Sequence, residues 1–209
     1  MNVRTILYRY LAFFVQVSFL ITAAGCGATP STEPTPPEVV TMTTNPVSAI
    51  PQVSIPLTGE WCFSIDKDQV GEAQGWANPN FDDSSWAIVQ VPHTWNVMPD
   101  YSEYEGVGWY RKTFVIPSES QDTHLRLRFE AVYYLARVWL NGQYLGQHEG
   151  GYTLFEFDVT SIAKPGSENV IAVQVDNLRA TNRIPVVIRP DWSFDWWNYG
   201  GIRAMYRLR

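Results

Sequence analysis

The chain contains few of the residues that build metal centres or disulfide frameworks. Among 209 residues there are two cysteines and three histidines, scattered along the sequence. They do not have the spacing of a zinc site. Basic residues are also scarce, because 15 Lys and Arg are outnumbered by 21 Asp and Glu. Nucleic-acid binding needs a basic face for the phosphates. We therefore expect no metal, no cofactor and no nucleic-acid partner.

Catalytic signatures are missing as well. The sequence has no GxSxG nucleophile motif and no Gly-rich phosphate loop. Catalysis by paired carboxylates needs two acids held at a fixed distance, and no spacing here nominates such a pair. Four aspartates in turn-like settings are expected to accept hydrogen bonds from local backbone; they are Asp82, Asp83, Asp176 and Asp191. His93 is expected to be a hydrogen-bonded structural residue. The spacing of the residues therefore predicts no catalytic residue in this chain.

Helical periodicity is absent, and short strands take its place. The segment HLRLRFEAV alternates without error, which predicts a half-buried antiparallel strand with an apolar face formed by Leu125, Leu127, Phe129 and Ala131. ARVWLNGQYLG predicts a hairpin, because Asn141-Gly142 suits a type I′ turn. Further strands are predicted in LFEFDVT, NVIAVQVDN, WYRKTFVIP and WAIVQVP. Many short strands separated by regular turns predict an all-β fold, a sandwich or jelly roll.

The first 25 residues have the composition of a secretory signal peptide. Arg4 and Arg9 precede an uncharged apolar run that ends in small residues. That run is shorter than the ~20 apolar residues that cross a bilayer. Residues 26–51 are rich in Thr, Pro and Ser, which predicts an extended tether. Residues 52–209 are predicted to form one globular domain.

The junction Ala23-Ala24-Gly25-Cys26 resembles the lipobox of bacterial lipoproteins. The resemblance implies that Cys26 becomes an acylated N-terminus, which would place the protein in the cell envelope or outside the cell, held to a membrane by its lipid. The alternative is an ordinary cleavage site beside a chance cysteine. With Cys26 lipidated, Cys62 has no partner for a disulfide, and we expect it to be a small core residue.

The stretch FDWWNYGGI combines an acid, aromatic rings and an amide. Adjacent strand residues point to opposite faces, so Trp196 and Trp197 cannot both be buried in one core. Sugars stack their C–H faces on indole rings and bond their hydroxyls to groups such as those of Asp195 and Asn198. Core packing and contact with a sugar both remain open on these residues alone.

Six ordered motifs carry a family resemblance: LTGEWCFSID, DDSSWAIVQVPHTWN, GVGWYRKTFVIP, VWLNGQYLGQHEGGYTLFEFDVT, NVIAVQVDN and DWWNYGGI. In these motifs the chain resembles the N-terminal sugar-binding domain of glycoside hydrolase family 2, which includes β-galactosidases, β-glucuronidases and β-mannosidases. The resemblance implies an all-β, jelly-roll β-sandwich of the galactose-binding-domain-like type. It implies a carbohydrate partner, a terminal β-glycoside. The spelling DWWNYGGI is closer to the glucuronidase-like version.

The resemblance also implies roles for particular residues. Asp195 falls where the family has an acid that reaches into the active site and contacts the sugar. The same substrate-binding loop would include Trp196, Trp197, Asn198 and Tyr199. Glu105 falls near a position at which some β-galactosidases have a sugar-contacting Asn. Here Arg203 follows GGI directly, where the family has one residue before an Arg and an acid, so the rim of the loop is expected to differ.

Family enzymes continue into an immunoglobulin-like domain and a barrel that carries both catalytic glutamates. The sequence given ends at Arg209, so we expect it to lack those glutamates and to be inactive alone. The leading interpretation is the N-terminal part of a secreted, lipid-anchored β-glycosidase, with the missing domains as its partners. A freestanding carbohydrate-binding module is the alternative, and a degenerate remnant is a third.

Overall fold

The computed structural model describes residues 54–180, 182–183 and 198–208, and within these ranges it is a β-sandwich. Its strands are β1 (Ile55–Pro56), β2 (Gly59–Asp66), β3 (Ala87–Val91), β4 (His93–Thr94), β5 (Val107–Val115), β6 (Arg126–Tyr133), β7 (Leu135–Leu140), β8 (Gln143–Glu149), β9 (Phe155–Asp158), β10 (Glu168–Asp176) and β11 (Gly201–Leu208). One sheet has the order β1-β11-β6-β9, with β4 also paired to β11, and the other has the order β3-β2-β5-β10-β7-β8. Every strand pair in these sheets is antiparallel. The predicted all-β, jelly-roll sandwich is therefore confirmed.

The core lies between the two sheets and is built by alternation along each strand. Leu125, Leu127 and Phe129 are buried, as the pattern HLRLRFEAV predicts, whereas the alternation fails at its end: Ala131 is half-buried and Val132 is fully buried. On the other face of β6, Arg126 and Arg128 pair with Glu156 of β9. Aromatic rings fill much of the remaining space, with Trp61, Trp95, Tyr110 and Tyr133 among the largest fully buried side chains. Burial of these rings, together with the aliphatic side chains of the core, supplies hydrophobic driving force for folding.

The predicted hairpin is present between β7 and β8. Asn141 and Gly142 have φ values of 53° and 82°, and two successive positive φ values define the type I′ turn. The Asn141 side chain also donates a 2.9 Å hydrogen bond to the Asn169 side chain at the start of β10. The turn is thereby attached to the neighbouring strand.

The prediction that Cys62 is a core residue is wrong. Trp61 and Phe63 on either side of it are 1% and 2% exposed, and both point into the core. Because successive strand residues point to opposite faces, Cys62 lies on the outer face of β2, where it is half-buried. Partial burial there raises the pKa of its thiol.

A buried arginine holds the long β2–β3 connection, residues 67–86, against the outer face of the second sheet. The Arg111 side chain of β5 is only 3% exposed, and its Nε lies 2.8 Å from a carboxylate oxygen of Asp83. It also donates to the backbone carbonyl of Trp76. On the outside of the sheet, the Trp76 indole packs edge to face on Trp109, and the Trp86 indole packs edge to face on Trp76.

Several connections meet at one end of the sandwich, where β2 and β10 end and β5, β7 and β11 begin. Asp66 faces Val107, which faces Asp176, at the last rungs of the second sheet. In the first sheet, Gly201 faces Tyr133 and Thr94. This region is called the loop end below. None of the helices in the described ranges, all single 3-10 turns, has the length and apolar character needed to cross a membrane.

Candidate functional site

The loop end contains the segment Asn198–Gly200, which leads directly into β11. Three residues predicted to contact a ligand, Asp195, Trp196 and Trp197, lie outside the described residues. Asn198 and Tyr199 lie within them, and so does Glu105. The surroundings of these three residues therefore define what the structure contributes to the candidate site.

Asn198 is buried, 6% exposed, and is held through both its side chain and its backbone. The Tyr133 hydroxyl donates a 2.8 Å hydrogen bond to Asn198 Oδ1. The Asn177 Nδ2 group donates a 2.7 Å hydrogen bond to the Asn198 backbone carbonyl. Because buried polar groups are costly to leave unpaired, these two bonds fix the end of the loop that begins upstream of Asn198.

Two further asparagines complete the support. Asn177 Oδ1 accepts from the backbone N–H of Gly106 at 2.8 Å, so one amide joins the end of β10, the start of β5 and the Asn198 segment. Asn96 Oδ1 accepts from the Gly200 N–H at 2.8 Å, and its Nδ2 donates to the Tyr104 carbonyl at 2.9 Å. We call Asn96, Asn177 and Asn198 the asparagine network. It joins segments that are distant in sequence at the base of the candidate loop.

Gly200 is pressed against the indole of Trp95. A Cβ atom at this position would lie 1.9 Å from Trp95 Cζ2, so only glycine fits without a shift of the ring. The Gly200 carbonyl accepts hydrogen bonds from Thr94 Oγ1 at 2.9 Å and from the Trp95 N–H at 3.1 Å. Gly200 thus allows close packing of backbone on an aromatic ring, whereas Gly201 has a φ of 144° and its Cβ would meet the His93 carbonyl.

The Tyr199 side chain is half-buried, and the Arg203 guanidinium stacks on its ring. The Arg203 guanidinium lies 5.7 Å from the centre of the Tyr199 ring and 5.4 Å from that of Tyr152. Its Nη1 also donates a 3.0 Å hydrogen bond to the Tyr152 hydroxyl. Arg203, which follows GGI directly, therefore joins the β8–β9 loop to the base of the candidate loop through cation–π contacts.

Glu105 is paired with an arginine in this structure. Its carboxylate lies 2.7 Å from Arg179 Nε, with each side chain about one-third exposed. A second pair joins Arg183 and Asp176 at 2.7 Å, with both side chains 15% exposed. The structure thus places Glu105 at the loop end, and its contact with a sugar stays a prediction.

Burial favours the neutral form of two titratable groups near the segment. It raises the pKa of Tyr133, whose hydroxyl donates to Asn198, to about 12. Burial lowers the pKa of His93 to about 4. His93 Nδ1 lies 2.8 Å from the Tyr110 hydroxyl, which confirms the predicted structural role.

Local backbone bonding, predicted for four turn aspartates, is confirmed for Asp82 and Asp176. Asp82 accepts from the Ser84 N–H, and Asp176 accepts from the Leu178 N–H. Asp83 differs, because its carboxylate pairs with Arg111. Asp191 lies outside the described residues.

In the portion of the chain covered by the structure, no group of three His, Cys, Asp or Glu side chains is placed to hold a metal ion. The chemistry at this end is hydrogen bonding and aromatic stacking.

Sequence reasoning did not find three residues that support the candidate loop: Asn96, Asn177 and Tyr133. A signal for two of them was available, because each asparagine lies just beyond a strand end, in HTWN and VQVDN. Their contacts reach 104 and 21 residues along the chain. Only the pairing of β11 with β4 and β6 brings such residues together.

Comparison with known proteins agrees with this geometry. Residues 55–208 match the family model described as glycosyl hydrolases family 2, sugar binding domain. A β-galactosidase of Thermoanaerobacter pseudethanolicus is 39% identical over 129 residues, covering 59% of this chain and 17% of that protein. A β-glucuronidase of Formosa agariphila is 33% identical over 140 residues, covering 59% and 14%.

Solved structures show the same likeness. The β-glucuronidase of Ruminococcus gnavus in complex with D-glucaro 1,5-lactone superposes with a TM-score of 0.67 at 26% identity, covering 75% of this chain and 28% of that one. The Lactobacillus rhamnosus β-glucuronidase gives a TM-score of 0.67 at 30% identity, again covering 75% and 28%. The chain thus spans less than a third of the relatives that it matches. The family model nevertheless covers most of the chain, and the chain belongs to glycoside hydrolase family 2 as a member of its sugar-binding domain family.

Proposed function

We propose that this chain is the sugar-binding module of an exported β-glycosidase, and that its loop end contributes residues to the pocket for the terminal sugar. The observation that carries the proposal is the support of Asn198 by Tyr133 and Asn177. This support holds one end of the DWWNYGGI loop in a defined place. Binding groups need such preorganisation to hold a sugar in a productive position.

Asp195 is the residue that we assign to direct sugar contact. It lies three positions before Asn198 in sequence. A carboxylate accepts hydrogen bonds from sugar hydroxyls, and charge-assisted bonds of this kind are about twice as strong as neutral ones. Asp195 would orient the sugar and would break no bond itself. Trp196, Trp197 and Tyr199 would supply the adjoining aromatic surface.

Bond cleavage is assigned to other parts of the enzyme. The chain spans 14–17% of the length of two curated relatives, and those relatives carry the names β-galactosidase and β-glucuronidase. We infer that a longer protein containing this chain hydrolyses a terminal β-galactoside or β-glucuronide. Retention of configuration would require two carboxylates about 5–5.5 Å apart, which we assign to the rest of that protein.

Export and anchoring form the second part of the proposal. The basic start, apolar middle and Ala23-Ala24-Gly25-Cys26 junction support cleavage before Cys26 and acylation of its side chain and new N-terminus. Residues 26–51 would then separate the domain from the membrane surface. Metabolic labelling with an alkyne-tagged fatty acid should mark the wild-type protein and leave Cys26→Ser unmarked. Equal labelling of both would contradict acylation at Cys26.

The catalytic proposal is tested on the longer protein encoded by the source reading frame. It should release nitrophenol from a β-galactoside or a β-glucuronide and not from the matching α-glycosides. The first sugar product, followed by NMR, should have the β configuration before it mutarotates. A protein that binds the sugars and cleaves none of these β-glycosides would instead be a freestanding binding module.

A further inference from the structure

A cleft of about 680 Å³ opens beside the β2–β3 connection. It lies at the loop end, near the edge of the second sheet that β3 and β2 form. Two half-buried indoles, Trp76 and Trp86, form one wall together with Ser85. Tyr101 also lines the cleft. Such a volume is in the range of small-molecule sites, about 300–1,000 Å³.

The walls of the cleft are rigid. Asp66 accepts hydrogen bonds from the N–H groups of Val70 and Gly71 and from the Trp109 indole, at 2.8, 2.9 and 3.0 Å. These bonds fix the start of the connection. Its other half is held by buried Arg111 through Asp83. The rings of Trp76 and Trp86 contact edge to face with centroids 5.0 Å apart. The aromatic wall is thus formed before any ligand arrives, which lowers the entropic cost of binding.

The lining has a chemistry that suits an uncharged saccharide. Asp68 and Asp100 are exposed carboxylates at the rim, and Lys67 is the one ammonium group among the described lining residues. With Asp66 the carboxylates outnumber the ammonium group by three to one, which disfavours phosphate, sulfate and uronate ligands. The polar rim also disfavours acyl chains, because their burial would desolvate the carboxylates. Aromatic faces beside hydroxyl acceptors match sugar rings.

The cleft is separate from the segment Asn198–Gly200. Buried Trp95 stands between them, because its ring stacks on Phe63 of the cleft at a centroid distance of 6.0 Å, and Gly200 presses on the same indole. The segment 95–106 joins the two sites, with Tyr101 facing the cleft and Glu105 paired near the loop. We propose that the cleft is a second saccharide site, which binds a neutral sugar chain independently of the pocket for the terminal sugar.

The test uses the full chain and four probes, namely galactotetraose, cellotetraose, xylotetraose and mannotetraose, each titrated to about 10 mM, a range that covers weak single-site affinities. Binding is followed by calorimetry and by tryptophan fluorescence. We expect saturable binding of at least one probe. The variant Asp68→Asn/Asp100→Asn keeps the shape of the rim and should weaken that binding about fivefold or more, because a neutral amide oxygen accepts a weaker hydrogen bond from a sugar hydroxyl than a carboxylate does. Trp86→Ala should abolish it.

Matched controls separate the cleft from general effects. Asp122→Asn removes an exposed carboxylate elsewhere, and Tyr144→Ala removes an exposed ring from the other edge of the sheet. Both should bind the probe as the wild type does. Absence of binding by all four probes would overturn the proposal, as would binding that the rim variant does not weaken. Spermidine binding lost in the rim variant, with no sugar bound, would identify a cation site and would also overturn it.

Discussion

The Tyr133 hydroxyl donates a 2.8 Å hydrogen bond to the side-chain oxygen of Asn198, which lies 65 residues later in the chain. Both residues are buried, and burial raises the pKa of the Tyr133 phenol to about 12. The bond joins the end of β6 to the segment that leads into β11. It therefore fixes the Asn198 end of the candidate sugar-binding segment.

Removal of this hydroxyl should destabilise the domain. Tyr133→Phe keeps the ring and leaves Asn198 Oδ1 without its donor, which costs about 1–3 kcal/mol for a buried group. Urea denaturation should show a lower free energy of unfolding with an unchanged m-value. Tyr144→Phe, at an exposed ring of β8, is the control and should stay within about 0.5 kcal/mol of wild type. Equal stability of both variants would show that the bond contributes nothing.

A single change of amide to carboxylate should break the asparagine network. Asn177→Asp has the same shape, but it replaces the N–H donor to the Asn198 carbonyl with an acceptor at a site 1% exposed. We expect a loss of about 3 kcal/mol or more, because the new group is either a buried charge or an unpaired oxygen. Thermal unfolding should shift down by several degrees, roughly 2–4 °C per kcal/mol. The exposed Asn80→Asp should leave the midpoint almost unchanged; a comparable drop there would assign the effect to net charge.

The contact between Gly200 and Trp95 predicts that even one methyl group is harmful. Gly200→Ala should displace the indole or the β11 segment, since the added Cβ would lie 1.9 Å from the ring. Overpacking of this kind costs about 1–3 kcal/mol. Near-UV circular dichroism should report the changed tryptophan environment. Gly59→Ala has a positive φ and open space around it, so it isolates the backbone cost and should leave the tryptophan signal intact. A wild-type spectrum for Gly200→Ala would contradict the packing seen here.

Stability should fall as the pH drops below neutrality because of His93. Burial lowers its pKa in the folded protein to about 4, below the ordinary 6.5. Between these values the unfolded chain binds a proton that the folded chain does not, so the free energy of unfolding declines as pH falls from 6.5 to 4. Above pH 6.5 the group has no effect.

Urea denaturation is measured at about pH 5.5 and 4.5, within that window, and at about pH 7, above it. His93→Asn keeps a polar atom near the Tyr110 hydroxyl and removes the titration, so its stability should depend less on pH. His124→Asn, at an exposed position, should keep the wild-type dependence. An unchanged slope in His93→Asn would assign the acid sensitivity to other groups.

Local pattern was enough to predict strands such as β6, which has a buried and a more open face over its first half. The central strand β10 is buried on both faces, and its nearly continuous apolar run predicted it. The alternation ending at Phe129 and the Asn141-Gly142 turn are both present. The same rule, applied to Cys62, would have placed it on the outer face. Its two aromatic neighbours suggested a core position, yet they point away from it. Alternation is thus a stronger guide than the character of adjacent residues.

The candidate site was harder to predict, because its supporting contacts join distant segments. Glu105 was assigned a sugar contact from resemblance, and nothing nearby in sequence indicated that Arg179 would pair with it. Asn96 meets Gly200 across 104 residues, and sheet order decides that approach. Conversely, the motif around Asn198 did indicate a special position, because an amide and two glycines at a strand start seldom serve the core alone.

The contribution of Asp195 to sugar recognition is tested most directly by kinetics of the longer protein that contains this chain. Asp195→Ala and the control Asp122→Ala are compared with wild type on a nitrophenyl β-galactoside and a β-glucuronide. Because a positioning group is lost, kcat/KM of Asp195→Ala should fall by on the order of 100-fold. Its melting temperature should stay unchanged. The Asp122→Ala control should remain active. Near wild-type kcat/KM in Asp195→Ala would contradict the role assigned to the loop end.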